Sequence, residues 1–265
     1  MKNLLVPIGS SGNGPNTLQY AIDLAQKLDA KVYVAQVYES TRVSGSLKNL
    51  DAILEEDSTN ELLNILSQID RKNVEVASVS IKGNVIDSIE ALAEYVKADL
   101  IVSSAKPISK DETLYLGKIA GRLVKDTNIP VLIVPSQYRY KDFTKILMAL
   151  KVCNVQSEVA LNPLKSVLET YKNSELNLIH VITPDCSDGD TEMSTQLREM
   201  AKTFKTSENA TVFQGVLEHL HITEPDLLCV MRRKRGFFNR LWQEDVVKKA
   251  DFESRLPLLI LKGIY

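Results

Sequence analysis

The feature that most constrains this chain is that it repeats itself. "FTKILMAL" echoes "MKNLLVPI", "ELNLIHVI" echoes "AKVYVAQV", "PDLLCVM" echoes "ADLIVSS", and "LPLLILK" echoes "IPVLIVP". Asp99 and Asp226 lie 127 positions apart, and so do Pro130 and Pro257. A fixed offset held by two landmarks marks a duplicated domain. Between Leu4 and Ile146 the offset is 142, so the second copy is about fifteen residues shorter. The loss is assigned to its third helix, roughly residues 215 to 224. The polar stretch "SQYRYKD", residues 136 to 142, reads as the linker, which gives domains over 1–138 and 142–265.

Within each copy, short β-branched or leucine-rich runs alternate with helical patterns, the signature of βαβ units and a parallel sheet. "NLLVPI", "KVYVAQVY", "NVEVASVSI", "ADLIVSS" and "PVLIVP" are the strands of the first copy. Leu18, Ala21, Ile22, Ala25 and Leu28 share one helical face behind Pro15, and Asn84 is placed to cap the helix carrying Ile86, Ile89 and Ala93. The expected class is α/β. It comprises two tandem doubly wound domains, each with a five-stranded parallel sheet and helices on both faces.

Composition excludes several functions. The chain has 44% hydrophobic and 25% charged residues and a formal net charge of −2, so nothing global draws it to nucleic acid or an anionic membrane. The apolar start is broken by Pro7 and a glycine loop, too early for a signal or a span. Cys153, Cys186 and Cys229 are odd in number and widely spaced, which argues against disulfides or zinc and for a cytoplasmic home. Cys153 and Cys229 read as small core residues. His180, His219 and His221 lack partners for a ligand set, so no metal is expected. No nucleophile–base–orienter set occurs, so the chain is not expected to be an enzyme.

"VPIGSSGNG" resembles a phosphate loop without matching one. A P-loop needs G-x4-G-K-[ST], and a dinucleotide loop needs G-x-G-x-x-G; Gly9, Gly12 and Gly14 give neither. The ordered set "NLLVPIGSS…TLQYAIDLAQKLDAKVYVAQV", "KGNVIDSIEALAEYVKADLIVSS" and "LGKIAGRLVKDTNIPVLIVP" is similar to the universal stress protein (UspA-type) family in its tandem form. That resemblance implies a soluble stress-response protein whose domains pair through their last strands in a pseudo-twofold dimer. Some members bind ATP or AMP and others do not.

In binding members an acid ends strand one, a valine ends strand two, and a G-x2-G-x9-G-[ST] loop follows strand four. The acid meets the sugar, the valine packs on adenine and the loop wraps the phosphates. Here Gly9, beside Ser10, stands where the acid belongs, and Val37 keeps the adenine position. Ser104, Pro107, Gly117 and Lys118 occupy the loop positions, with Ser103 adjacent. In the second copy the loop positions hold Met231, Lys234, Glu244 and Asp245, and Lys151 replaces the acid. Two carboxylates would repel a phosphate.

The run "RRKRGFFNRLW" sets Arg232, Arg233, Lys234, Arg235 and Arg240 beside three aromatics. It is read as a protein-partner patch rather than a nucleic-acid site. The sequence therefore predicts a non-enzymatic cytoplasmic stress-response protein. Its nucleotide pockets are eroded, it has no cofactor, and it acts through protein partners or homo-oligomerisation. The alternative is a regulator or weak hydrolase holding ATP or AMP weakly at Gly9, Ser10, Val37, Ser103, Ser104, Gly117 and Lys118.

Overall fold

The computed structural model describes residues 1–9, 13–39, 50–105, 118–155, 157–186, 191–232 and 256–263. The chain divides into two compact units, Met1–Tyr140 and Lys141–Tyr265.

The first unit runs β1 (Asn3–Ile8), α1 (Gly14–Leu28), β2 (Lys31–Tyr38), α2 (Leu50–Ser67), β3 (Val76–Lys82), α3 (Val85–Tyr95), β4 (Leu100–Ser104), α4 (Lys118–Asp126) and β5 (Val131–Val134). Its strands lie in the order β3-β2-β1-β4-β5 and pair in parallel throughout. β4 and β5 are almost continuously buried because parallel strands covered by helices on both faces have no solvent side. α1 starts on Pro15 and buries Leu18, Ala21, Ile22, Ala25 and Leu28. Asn84 caps α3, its Oδ1 accepting from the amides of Ile86 and Asp87 at 3.0 and 3.4 Å. The segment after β5 is tied back onto α1. Ser136 Oγ donates to Asn13 Oδ1 at 3.0 Å, and the rings of Tyr138 and Tyr140 lie 6.3 and 5.4 Å from that of Tyr20.

The second unit runs β6 (Lys145–Leu150), α5 (Asn162–Thr170), β7 (Glu175–Ile182), α6 (Thr195–Met200), β8 (Thr203–Glu208), α7 (Val212–Thr223), β9 (Leu227–Arg232) and β10 (Leu258–Lys262). Its order is β8-β7-β6-β9-β10, again all parallel.

The duplication is visible bond by bond. Asp99 accepts from the amides of Lys2 and Asn3 at 2.5 and 3.0 Å, and Asp226 from those of Thr144 and Lys145 at 2.9 and 3.0 Å. The Ile101 amide donates to Pro130 O at 2.9 Å, and that of Leu228 to Pro257 O at 3.0 Å. The two landmarks at the fixed offset are therefore matched pieces of the same scaffold.

The missing residues lie elsewhere than the repeat suggests. Gln36 pairs with Ser80 and its counterpart His180 with Thr206, so the offset is 144 (180 minus 36) on strand two and 126 (206 minus 80) on strand three. The whole loss falls between those strands. The second helix shrinks from 18 residues in α2 to 6 in α6, anchored by buried Leu197, while α7 keeps 12 residues against 11 in α3. Histidines 219 and 221 thus sit within a full third helix. The sequence misleads here because α7 carries polar residues at positions where α3 is apolar.

Candidate functional site

In an open parallel sheet, ligands sit at the carboxyl ends of the strands where the strand order reverses, here between β1 and β4. Gly9 follows β1, Ser103 and Ser104 end β4, and Val37 stands near the end of β2. Ser103 is buried, while Gly9, Val37 and Ser104 are half-buried, so these four share one edge of the first sheet. Lys118 opens α4; its side chain, with Ser10, Pro107 and Gly117, lies outside the described residues.

Two features of this edge matter chemically. A Cβ added at Gly9 would have its nearest neighbour, Ile119 Cδ1, at 3.7 Å, an ordinary contact, so the backbone there tolerates a side-chain-bearing residue. Beside Val37, the Gln36 side chain is only 4% exposed. Its Nε2 donates to Glu61 Oε2 on α2 at 2.5 Å, and its Oε1 has no donor among the described residues. No local pattern signals the Gln36–Glu61 bond, whose partners are 25 positions apart.

The second unit fills the same places differently. Lys151, the counterpart of Gly9, bonds through Nζ to Asp185 Oδ2 at 2.7 Å, joining the segments that follow β6 and β7. Thr183 Oγ1 donates to Asp185 Oδ1 at 2.6 Å, and Nε2 of buried His180 donates to Lys151 O at 3.2 Å. The bonds from Lys151 and then Thr183 hold the Asp185 carboxyl well below the usual carboxylate range. Asp185 was not singled out from sequence. The available signal was a lysine replacing an acid, which calls for a counter-ion near the end of the next strand.

The adenine position has closed as well. Val181, the counterpart of Val37, is 0% exposed. A Cβ added at Gly215 on α7 would stand 2.7 and 2.9 Å from the two Val181 methyls, so the helix rides directly on that valine.

Of the basic run, Arg232 ends β9 half-exposed; Arg233, Lys234, Arg235 and Arg240 lie outside the described residues, as do Glu244 and Asp245. Cys153 and Cys229 are buried, and burial pushes the Cys229 thiol up, so it stays protonated. Among the described residues no metal-ligating cluster occurs, and no helix is long and apolar enough to cross a membrane.

This arrangement of strands, glycine turn and valine has known relatives. The family model described as the universal stress protein family matches residues 1–135, half of the chain. The chain belongs to the universal stress protein family. A curated universal stress protein of Methanocaldococcus jannaschii is 27% identical over 138 residues, covering 50% of this chain and 81% of that protein. Among solved structures, a universal stress protein from Archaeoglobus fulgidus matches with a TM-score of 0.73 at 17% identity, covering 98% of this chain and 96% of that one. A functionally unknown protein from Pseudomonas aeruginosa matches with a TM-score of 0.61 at 14% identity, covering 99% and 93%. At such identities the structural matches speak for the fold alone. The family match itself falls on the first unit, which retains more of the universal stress protein pattern than the second.

Proposed function

We propose that this universal stress protein is a non-enzymatic, cytoplasmic stress-response protein that works through protein contacts rather than through a bound nucleotide. The observation that carries the reading is the Lys151–Asp185 pair, a cation and its counter-ion standing where a nucleotide-binding domain needs an acid and open space. In the first unit the same position is Gly9, which supplies no carboxylate for a ribose. The loop residues Ser104, Pro107 and Lys118 would cradle phosphates poorly, since a proline and a side-chain-bearing serine stand where glycines allow close backbone approach.

The partner surface in this reading is the basic run of Arg232, Arg233, Lys234, Arg235 and Arg240, facing an acidic protein surface. Its contribution falls as salt shortens the screening length below about 8 Å. Reversal of Arg232, Arg233 and Arg235 to Glu is expected to abolish capture of an acidic partner; unchanged capture refutes the patch.

A second reading is favoured by the uncrowded Cβ position at Gly9, the retained Val37 and the unbonded Gln36 Oε1. On it, the first unit holds ATP or AMP weakly and acts as a nucleotide-dependent regulator. One experiment separates the two. Native mass spectrometry of the purified protein should find no co-purifying nucleotide, and calorimetry with ATP or AMP and magnesium should find nothing tighter than about millimolar, roughly −4 kcal/mol. The variant Gly9→Asp/Ser104→Gly/Pro107→Gly/Lys118→Ser should then bind at least about tenfold more tightly, a gain near 1.4 kcal/mol. Micromolar binding by the parent protein overturns the first reading and establishes the second.

A further inference from the structure

The two units also differ toward the start of the strands, beneath the third helix. In the first unit Tyr33 of β2 pairs with Leu5 and Ala77, with Asn3 two residues before and Val79 two residues after those partners on the flanking strands. Strand register makes the counterparts Asn177, Lys145 and Lys205. An aromatic ring has thus become a short amide, and two neutral neighbours have become cations. At this place the second unit contains a cavity of about 210 Å³ between β6, β7, β8 and α7.

The charges around the cavity are unequal. Its one acid, Glu175, already pairs with Lys202. Lys145 and Lys205 make no ion pair among the described residues. Asn177 is held by Thr203, whose Oγ1 donates to Asn177 Oδ1 at 2.7 Å. His219 donates through Nδ1 to Gly215 O at 2.9 Å, which leaves Nε2 as its second polar atom. Leu147, Leu178, Ile179 and the otherwise exposed Ile222 supply aliphatic lining, and Thr223 completes it.

We propose that this cavity is a binding site for a small organic anion with an apolar body, a monocarboxylate of roughly benzoate size. The carboxylate lies toward the Lys145 and Lys205 ammonium groups, and the body lies against Leu147, Ile179 and Ile222. An aliphatic floor with a few convergent polar groups is the usual make-up of a small-molecule site. Two cations without carboxylate partners favour an anion over a cation or a neutral ligand. The site stands at the start of the strands, whereas the family's nucleotide edge is at their ends. It is independent of whether either nucleotide pocket works.

Saturation-transfer NMR on the full chain, with benzoate, cyclohexylamine and inorganic phosphate as probes, tests this. Benzoate should give a transfer signal and cyclohexylamine none, and phosphate should fail to displace benzoate at equal concentration. Asn177→Tyr fills the cavity and should abolish the benzoate signal. Lys145→Gln/Lys205→Gln, which alters only exposed side chains, should weaken it at least about fivefold, and decides the matter if the tyrosine variant does not fold. A silent parent, a signal unchanged in the variants, a cyclohexylamine signal of equal size or displacement by phosphate overturns the proposal.

Discussion

In the bonds that fix strand order the two units are nearly interchangeable; at the carboxyl ends of the strands they are not. Asp99 and Asp226 receive the same pair of strand-one amides, and Pro130 and Pro257 receive the same strand-four amide. At the carboxyl edge Gly9 corresponds to Lys151, Gln36 to His180, and half-buried Val37 to fully buried Val181. Those differences have a common direction. Among the described residues, the second unit has committed its carboxyl edge to internal bonds and packing that the first unit lacks. Duplication leaves one copy free to trade a binding edge for a more tightly packed one, provided the bonds that fix strand order survive.

The sharpest way to break the comparison is at the shared clamp. Asp226 is buried, and besides two amides it accepts from Thr144 Oγ1 at 2.6 Å and Lys141 Nζ at 2.6 Å. Asp226→Ala removes the shared acceptor of four donors on Lys141, Thr144 and Lys145 and is expected to cost the second unit about 3 kcal/mol in urea unfolding. Asp99→Ala, at an exposed site with two bonds, should cost about 1 kcal/mol. Acid gives a second handle on the same residue. Burial raises the Asp226 pKa, but the bonds from Lys141, Thr144 and Lys145 outweigh it and hold it at about 2, below the ordinary 3.8. A folded value below the unfolded one means the stabilisation is complete above about pH 4 and is lost as pH falls toward 2. The second unit of Asp226→Asn should therefore lose less stability over that window than the parent. Equal pH slopes would show that the clamp is not an ionised carboxylate.

A smaller effect separates the third helices. Gly215 allows α7 to sit on Val181, whereas its counterpart in α3 is Ser88. Gly215→Ala places a methyl within 2.9 Å of both Val181 methyls and is expected to destabilise the second unit by about 2 kcal/mol through overpacking. Ser88→Ala should be within about 0.5 kcal/mol of neutral. If both substitutions are neutral in thermal unfolding, the closer helix packing on the second sheet is not a constraint.

Much of this was legible in the sequence because it rests on local pattern. Continuous apolar runs gave the parallel strands, Pro15 and Asn84 marked helix starts, and the Asp and Pro offsets marked the repeat. The loss in the second copy was misplaced because an offset counts residues without saying which connection is shorter; only the pairing of His180 with Thr206 locates it. The partners at the carboxyl edges were illegible for a related reason. Glu61 and Asp185 reach the site from other segments, and nothing in the local sequence of either points to Gln36 or Lys151. The erosion of the phosphate loop was readable from residue identity. The closure of Val181 beneath Gly215 was not, because it depends on how near a helix lies to its sheet.

The smallest expected effect asks what closes the second pocket. Two causes compete: the Lys151–Asp185 pair across its mouth, and the packing of α7 on Val181 behind it. The ion pair is partly solvated, with side chains 25% and 48% exposed, so Lys151→Ala should change unfolding stability by only about 0.5 kcal/mol. It removes a cation from the mouth without moving the valine, and an adenine ring has no surface to stack on where Val181 is fully buried. Lys151→Ala is therefore expected to leave the second unit without nucleotide binding, read by calorimetry with ATP in a chain whose first unit is unchanged. ATP binding gained by that single substitution would make the ion pair the plug and the packing incidental. Binding gained only when Gly215→Ala is added would identify helix position as the control, because a methyl there must lift α7 from the sheet before Val181 can meet a ligand.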